Sequence, residues 1–340
     1  MTRDTNRACA VICEYNPFHF GHRYQLKALR ESFGTVVCLL GSELTQRGEV
    51  AIADRYLRAA AALQNGADLV LELPMPWCCA SARDFANGGV SLARAIGVDA
   101  LAFSAESDGD ALRDAASRRA AAEEVLGRTL REHPNDILAI EYLSSAGDEL
   151  SCHILHRDPS FASSSAIRQE GVPCGSLPDG VEEILRHDPS FPHNTEEMGK
   201  FLLASLRNHP PKGCYGVPDE LYARMTELAE ITDDFAKFVA RCTNKMFTSA
   251  RVRRAAWSMA FGFPADLPAR PVPYTLLLAS NGRGREFLRR TEKLRTVPVV
   301  SRAAALREDP VYRLNARVQE VLRLYYGGEP SHVRQPVMTD

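Results

Sequence analysis

The chain has 340 residues, with 41 Lys+Arg against 43 Asp+Glu and a formal net charge of −2. Hydrophobic residues make up 45% and charged residues 25%, the mix of an ordinary soluble globular protein, and the length calls for two domains. These figures exclude a uniformly basic nucleic-acid coat, and no window approaches the roughly 18 consecutive apolar residues of a membrane span.

The neutral average conceals two unlike parts. Residues 241–340 hold 18 Lys+Arg and 8 Asp+Glu, a local charge of +10, which leaves 23 and 35, or −12, for residues 1–240. Met1 to Arg7 is polar and leads into an apolar run too short for a signal sequence. The nine cysteines, at 9, 13, 38, 78, 79, 152, 174, 214 and 242, show no paired spacing of a zinc site. They read as reduced, mostly buried thiols of a cytoplasmic protein.

In chain order, apolar runs at Ala8–Cys13, Thr35–Leu40, Asp68–Leu73 and Ala100–Ser104 predict buried strands, with a fifth at Leu150–Leu155. Helical stretches at His22–Glu31, Asp54–Gln64, Phe85–Ala95 and the Ala-rich, charged Asp110–Arg131 alternate with them. Gly34, Gly66 and Gly97 stand where helix C-caps are expected. Repeated β-α-β with short links implies a Rossmann-like, doubly wound parallel sheet in an α/β domain over residues 1–172. Residues 173–194, rich in Gly, Pro, Ser and His, read as a linker or excursion. A basic, mainly helical unit is expected over 195–328, with helices at Glu196–Leu206, Asp219–Ile231, Asp234–Cys242, Ser249–Phe261 and Val311–Tyr325. Short strands at Tyr274–Ala279 and Val297–Ser301 flank a loop at Ser280–Arg285, and residues 329–340 form a flexible tail.

The chemistry is expected at Cys13-Glu14-Tyr15-Asn16-Pro17-Phe18-His19-Phe20-Gly21-His22, after the first strand and at the opening of the first helix. In a doubly wound sheet this is the ligand edge. Pro17 stiffens the turn, and Gly21 permits close backbone approach. His19 and His22 are three apart, so both rings can face one side. Free amides, the helix dipole and two imidazoles suit an anion such as a polyphosphate. A zinc pair is incomplete here, since no third ligand has metal spacing. Ser163-Ser164-Ser165-Ala166-Ile167-Arg168 adds hydroxyls, amides and a cationic fork at a second helix start.

Both elements, in this order, resemble the H-x-G-H nucleotidyltransferase superfamily. Glu14 to His22, Gly41-Ser42-Glu43-Leu44-Thr45-Gln46-Arg47-Gly48-Glu49, Arg55, Arg58 and Gly66 to Pro74 are more narrowly similar to bacterial tRNA(Met) cytidine acetate ligases. Pro134-Asn135-Asp136-Ile137-Leu138, Arg251-Val252-Arg253-Arg254 and Asn281-Gly282-Arg283-Gly284-Arg285-Glu286 continue the likeness, which is dense over 8–170 and patchy from 171 to about 326. The chain departs from the family's usual Phe-Gly-Ser-Glu at Phe103-Ser104-Ala105-Glu106, and Val50 and Phe20 replace a usual Pro and a frequent Asn.

The resemblance implies a ligase that makes acetyl-adenylate and pyrophosphate from ATP and acetate, then acetylates N4 of the wobble cytidine of elongator tRNA(Met). It implies ATP contacts from Ile12, Cys13, Glu14, Tyr15, Asn16, Pro17, Phe18, His19, Phe20, Gly21, His22, Arg23, Tyr24 and Gln25, and from Ser104, Asn135 and Arg168. His19 and His22 are the expected catalytic donors to the α- and leaving-group phosphate oxygens, Arg168 the holder of the β,γ end, and Mg2+ the companion of ATP. Arg47, Arg251, Arg253, Arg254, Arg283 and Arg285 are candidate tRNA contacts, since clustered guanidiniums suit an RNA backbone. Two other readings stay open: a small-molecule adenylyltransferase of the same superfamily, and a non-catalytic ATP- or RNA-binding relative. His153, His156, His187, His193 and His209 have no distinguishing spacing and are expected at the surface or in the linker.

Overall fold

Nine consecutive buried residues make β2 (Phe33–Gly41), as expected of an inner strand covered on both faces. The computed structural model describes residues 4–118, 122, 126, 133–330 and 332–340. Its other strands are β1 (Asp4–Cys13), β3 (Leu69–Leu73), β4 (Ala100–Ala105), β5 (Ser151–His156), β6 (Thr275–Ser280), β7 (Val299–Val300) and β8 (Val337–Met338). They form a mixed sheet in the order β5-β4-β1-β2-β3-β6-β7, with β8 beside β6. The first five strands run parallel, whereas β6 pairs antiparallel with β3.

The strand order reverses at β1, which lies between β2 and β4. A reversal of this kind opens a crevice at the carboxyl ends of the two strands, where doubly wound proteins bind ligands. Over this edge start α1 (Phe20–Ser32), α2 (Arg55–Gln64), α3 (Ala82–Ile96) and α4 (Gly109–Ser117). Asp54, Ser81 and Asp108 accept amide hydrogen bonds at the first turns of α2, α3 and α4. Gly97 caps α3 in the left-handed region, whereas Gly34, expected as a cap, lies inside β2. The predicted helix Asp110–Arg131 appears as α4; its continuation, apart from Ala122 and Leu126, lies outside the described residues.

A helix not anticipated from periodicity, α5 (Pro134–Ala146), begins with Pro at its first turn, where the missing N–H costs nothing. The short α6 (Ser164–Gln169) follows β5. Helices α7 (Val181–Leu185), α8 (Gly199–Arg207), α9 (Asp219–Glu230), α10 (Phe235–Cys242), α11 (Ser249–Phe261), α12 (Gly282–Arg290) and α13 (Pro310–Tyr326) make up most of the remainder. The loop expected at Ser280–Arg285 is therefore the start of α12.

The segments read as a linker or excursion and as a flexible tail are both packed. Within 173–194, Val181 and Leu185 are fully buried, Asp188 accepts the Asp54 amide at 2.9 Å, and the His193 amide donates to Ile52. His193, expected at the surface or in the linker, lies in the latter with its side chain buried, 2.9 Å from Asp188 and stacked on Tyr326 with ring centroids 4.1 Å apart. At the other end, β8 pairs with β6, Arg334 meets Asp54 at 2.8 Å, and Arg285 donates to the Thr339 carbonyl at 2.6 Å. The described residues of 329–340 are thus docked on the sheet edge and on α2 rather than free.

Candidate active site

Leaving β1, the chain makes a rigid loop before α1. Tyr15 has φ +46°, a left-handed conformation that a bulky side chain holds only when its surroundings fix it. Those surroundings are visible. The Tyr15 and Phe18 side chains are buried in the core, with the Tyr15 hydroxyl 3.3 Å from Cys38 Sγ. Asn16 Oδ1 accepts the Ile52 amide at 2.6 Å, and Ser164 donates to the Pro17 carbonyl at 3.2 Å. The Asn16–Pro17 peptide is cis.

Beneath the loop lies Arg58, 1% exposed. Its guanidinium donates to the carbonyls of Glu14 at 2.6 Å, Gly41 at 3.2 Å and Ala53 at 2.9 Å, and to that of Ser42. One buried fork therefore joins the ends of β1 and β2 to the start of α2. Beside it Arg55 pairs with Glu43 at 2.8 Å and Glu72 at 3.5 Å.

His19 and His22 open α1 as a reciprocal cap. His19 Nδ1 accepts the Gly21 amide at 3.0 Å, and His22 Nδ1 accepts the His19 amide at 3.3 Å. The rings stack with centroids 3.8 Å apart. Since each Nδ1 accepts, a neutral ring must carry its proton on Nε2. Burial, with Arg157 adding its charge, lowers the His19 pKa to about 4. Burial and the His19 ring likewise hold His22 well below the usual histidine range. At neutral pH the pair therefore presents two neutral Nε2–H donors. A Cβ at Gly21 would lie 2.9 Å from His19 Cε1, so glycine here keeps that ring in place.

Cations flank the pair. Ser163 caps α6, and Arg168 at its end donates to the Asn16 carbonyl at 2.5 Å and to Glu49 at 3.0 Å. Arg157, one residue past β5, lies 3.5 Å from Glu106 Oε1, which also accepts the Asn135 amide at 2.6 Å. Sequence reasoning passed over Arg157, although its place two residues beyond the predicted strand Leu150–Leu155 was the available signal. Ser104 accepts from Gln25 Nε2 at 3.0 Å, so its hydroxyl ties the end of β4 to α1.

The expected ATP-contacting stretch is thus divided by structure. His19, Phe20, Gly21, His22 and Arg23 are partly exposed, and Tyr24 is open to solvent. Ile12 and Glu14 are half-buried by residue, and Asn16 and Pro17 are buried in the loop. Cys13, Tyr15, Phe18 and Gln25 are turned inward, and Cys13 Sγ points at the Leu39 carbonyl at 3.7 Å. Glu14 Oε1 accepts the Gln46 amide at 2.5 Å, and burial raises the Glu14 pKa.

Glu106, His133 and Asp136 place possible metal-ligand atoms within 4.8 Å of one another. The Asp136 carboxylate, however, already accepts the Glu106 and Ser107 amides at 2.9 and 3.0 Å and the Ser107 hydroxyl at 2.6 Å. This is a turn cap, and its donor set with a histidine nitrogen is a poor match to an oxygen-only magnesium shell.

The basic segment is partly spent inside the molecule. Arg254 Nη1 donates to the Gln46 carbonyl at 2.8 Å, and burial lowers its pKa. Arg253 donates to the Arg47 carbonyl at 3.3 Å and meets Glu49 at 3.6 Å. Arg283 reaches Asp68 at 3.0 Å with 55% of its side chain exposed, and Arg285 holds Thr339. A Cβ on Gly284 would stand 2.1 Å from the Asp68 carbonyl, so the Asn281–Glu286 motif is shaped by close docking on the residue that leads into β3. Arg47 is exposed, and Arg251 lies over the Phe247 ring at 5.2 Å.

A family profile described as HIGH Nucleotidyl Transferase matches residues 6–132 and 110–335. A tRNA(Met) cytidine acetate ligase of Syntrophotalea carbinolica is 32% identical, over 87% of this chain and 84% of the relative. The chain belongs to the tRNA(Met) cytidine acetate ligase family of HIGH nucleotidyl transferases. Another ligase of this family, from Limosilactobacillus reuteri, is 30% identical over 98% of this chain and 99% of its own. The crystal structure of Thermotoga maritima TmcAL bound with alpha-thio ATP superposes with a TM-score of 0.87 at 26% identity, covering 98% and 99% of the two chains. The apo form of that protein gives 0.87 at 25% identity.

Proposed function

We propose that this chain is an ATP-dependent tRNA acetate ligase acting on N4 of the wobble cytidine of elongator tRNA(Met). The observation that carries the reading is the pair of neutral Nε2–H donors at the strand-order reversal, flanked by Arg168 and Arg157. An acetate oxygen attacks the α-phosphorus, the bond to the β,γ-diphosphate breaks, and pyrophosphate leaves. His19 and His22 donate to the α-phosphate and leaving oxygens, where charge grows, and Arg168 holds the departing end. The cytidine N4 then attacks the acetyl carbonyl of the adenylate. AMP leaves, and N4 gives up one proton.

Neutral donors fit this chemistry. They stabilise developing charge without holding pyrophosphate by a full positive charge, so product leaves readily. Magnesium is expected to arrive with the triphosphate and to screen its charge when bound; the protein's own contribution is the histidine pair and the arginines. A wobble base is already unpaired, so only a modest unstacking is needed. Arg47 and Arg251 have the freest guanidiniums of the proposed tRNA contacts. Arg253, Arg254, Arg283 and Arg285 would contribute through the N–H groups their internal partners leave over. No helix among the described residues is long and apolar enough to cross a membrane.

The test is incubation with ATP, labelled acetate and total tRNA. Acetate-dependent pyrophosphate release with label in tRNA is the expected result. Pyrophosphate release without labelled tRNA would move the function to a small acceptor, and ATP binding without turnover would make the chain a non-catalytic relative.

A further inference from the structure

The loop Gln46-Arg47-Gly48-Glu49 lies between the histidine site and α11, and both sides hold it. From the site side, Glu14 takes the Gln46 amide and Arg168 takes Glu49 Oε2 at 3.0 Å. From the other side, Arg254 takes the Gln46 carbonyl, Trp257 Nε1 takes the Gly48 carbonyl at 3.1 Å, and Arg253 lies 3.6 Å from Glu49 Oε1. Gly48 has φ +74°, and a Cβ there would meet the Arg254 amide nitrogen at 2.6 Å, so the contact is backbone against backbone.

One carboxylate thus serves two guanidiniums, one on each side. The three side chains are 22–28% exposed, so their charges are only partly screened by water. We propose that Glu49 is a shared counter-ion that couples nucleotide binding to α11, with Arg253 as a positioning residue for Arg168. When a triphosphate draws on Arg168, Glu49 must be neutralised elsewhere, and Arg253 is placed to do it. When Arg253 is removed or taken by another anion, Glu49 stays with Arg168 and opposes the nucleotide. The coupling is therefore negative, and by linkage it acts equally in both directions. In the proposed reaction, which this inference extends, departure of pyrophosphate returns Glu49 to Arg168 and frees Arg253 for an RNA phosphate.

The test uses the full chain and a non-hydrolysable ATP analogue, without RNA, so its outcome does not depend on the acceptor. Arg253→Ala, which removes a side chain outside the nucleotide site, is expected to weaken analogue binding about fivefold. Adding Glu49→Gln should restore it, because no charge then needs a partner. A merely structural role for Arg253, through the Arg47 carbonyl, predicts the same loss with no rescue, and that result overturns the proposal. Unchanged binding in Arg253→Ala overturns it as well. A second measurement reads the reverse direction: saturating analogue should weaken tRNA binding in the native protein and not in Glu49→Gln. Persistence of the effect in that variant would mean direct repulsion between nucleotide and RNA and would also overturn it. Failure of the ligase reading shows separately, as loss of acetate-dependent pyrophosphate release in the native protein.

Discussion

The crevice at the ends of β1 and β4 and the basic surface of the carboxyl half are both rich in arginine, but their guanidiniums face different things. In the crevice, Arg168 is aimed by the Asn16 carbonyl and Glu49, and Arg157 by Glu106, beside two histidines whose Nδ1 atoms are already occupied. On the carboxyl half, Arg254 and Arg285 are bound to backbone carbonyls and Arg283 to the buried Asp68. A local charge of +10 therefore overstates what an RNA can meet. Where a guanidinium's partner lies, rather than how many guanidiniums there are, separates an aimed site from a fastened surface.

The largest expected effect tests the foundation of the crevice. Arg58→Ala leaves four carbonyls without this donor and should cost about 3–5 kcal/mol of stability, since each buried acceptor left unpaired costs about 1–3 kcal/mol. Denaturant unfolding would measure it, and a loss below about 1 kcal/mol would show that the loop ends do not depend on this fork. Next, Arg168→Ala should weaken binding of an ATP analogue about 10- to 100-fold, the usual worth of hydrogen bonds to a charged partner. Calorimetry without tRNA isolates this loss, and equal effects at Arg168 and Arg285 would erase the difference between the two regions.

A smaller effect sharpens the other half. Arg47→Ala or Arg251→Ala should lower tRNA affinity and reduce the salt slope by about 1, whereas Arg285→Ala should change it less. The reverse ranking would mean that the internal partners are exchanged for phosphate on binding.

The smallest effect is one of pH. An unfolded His19 takes its proton near 6.5, whereas burial and Arg157 bring the folded value to about 4. Between those values the unfolded state binds more protons, so this contribution to stability is complete above 6.5 and is lost as pH falls toward 4. Nitrogen NMR at pH 6 should find both rings neutral with the proton on Nε2. Arg157→Gln should raise both titrations, and unmoved titrations would remove Arg157 from the site.

Much of the histidine crevice was legible in the sequence because its signals are local. Apolar runs of strand length, caps such as Gly97, and the His19–His22 spacing each depend on a few neighbouring residues. The roles of Arg58 and Glu49 depend on partners far along the chain, Glu14 and Gly41 for one and Arg168 and Arg253 for the other, which no spacing reveals. The packing of 173–194, and of the described residues of 329–340, was hidden for a related reason. Both segments are fastened by contacts such as Asp188 with the Asp54 amide and Arg334 with Asp54 that leave no periodic trace. Cys13, Tyr15 and Phe18, expected to contact the nucleotide, have their side chains turned into the core, which the motif alone does not reveal.

The most direct measurement of the central claim is acetate-dependent pyrophosphate exchange by His22→Ala, with tRNA binding followed on the same preparation. Loss of this donor should slow exchange about 100- to 1,000-fold while tRNA binding stays at the native level. Exchange within a few-fold of native in a folded variant would contradict the account, because the neutral histidine pair would then not be what stabilises the charge on the leaving phosphates.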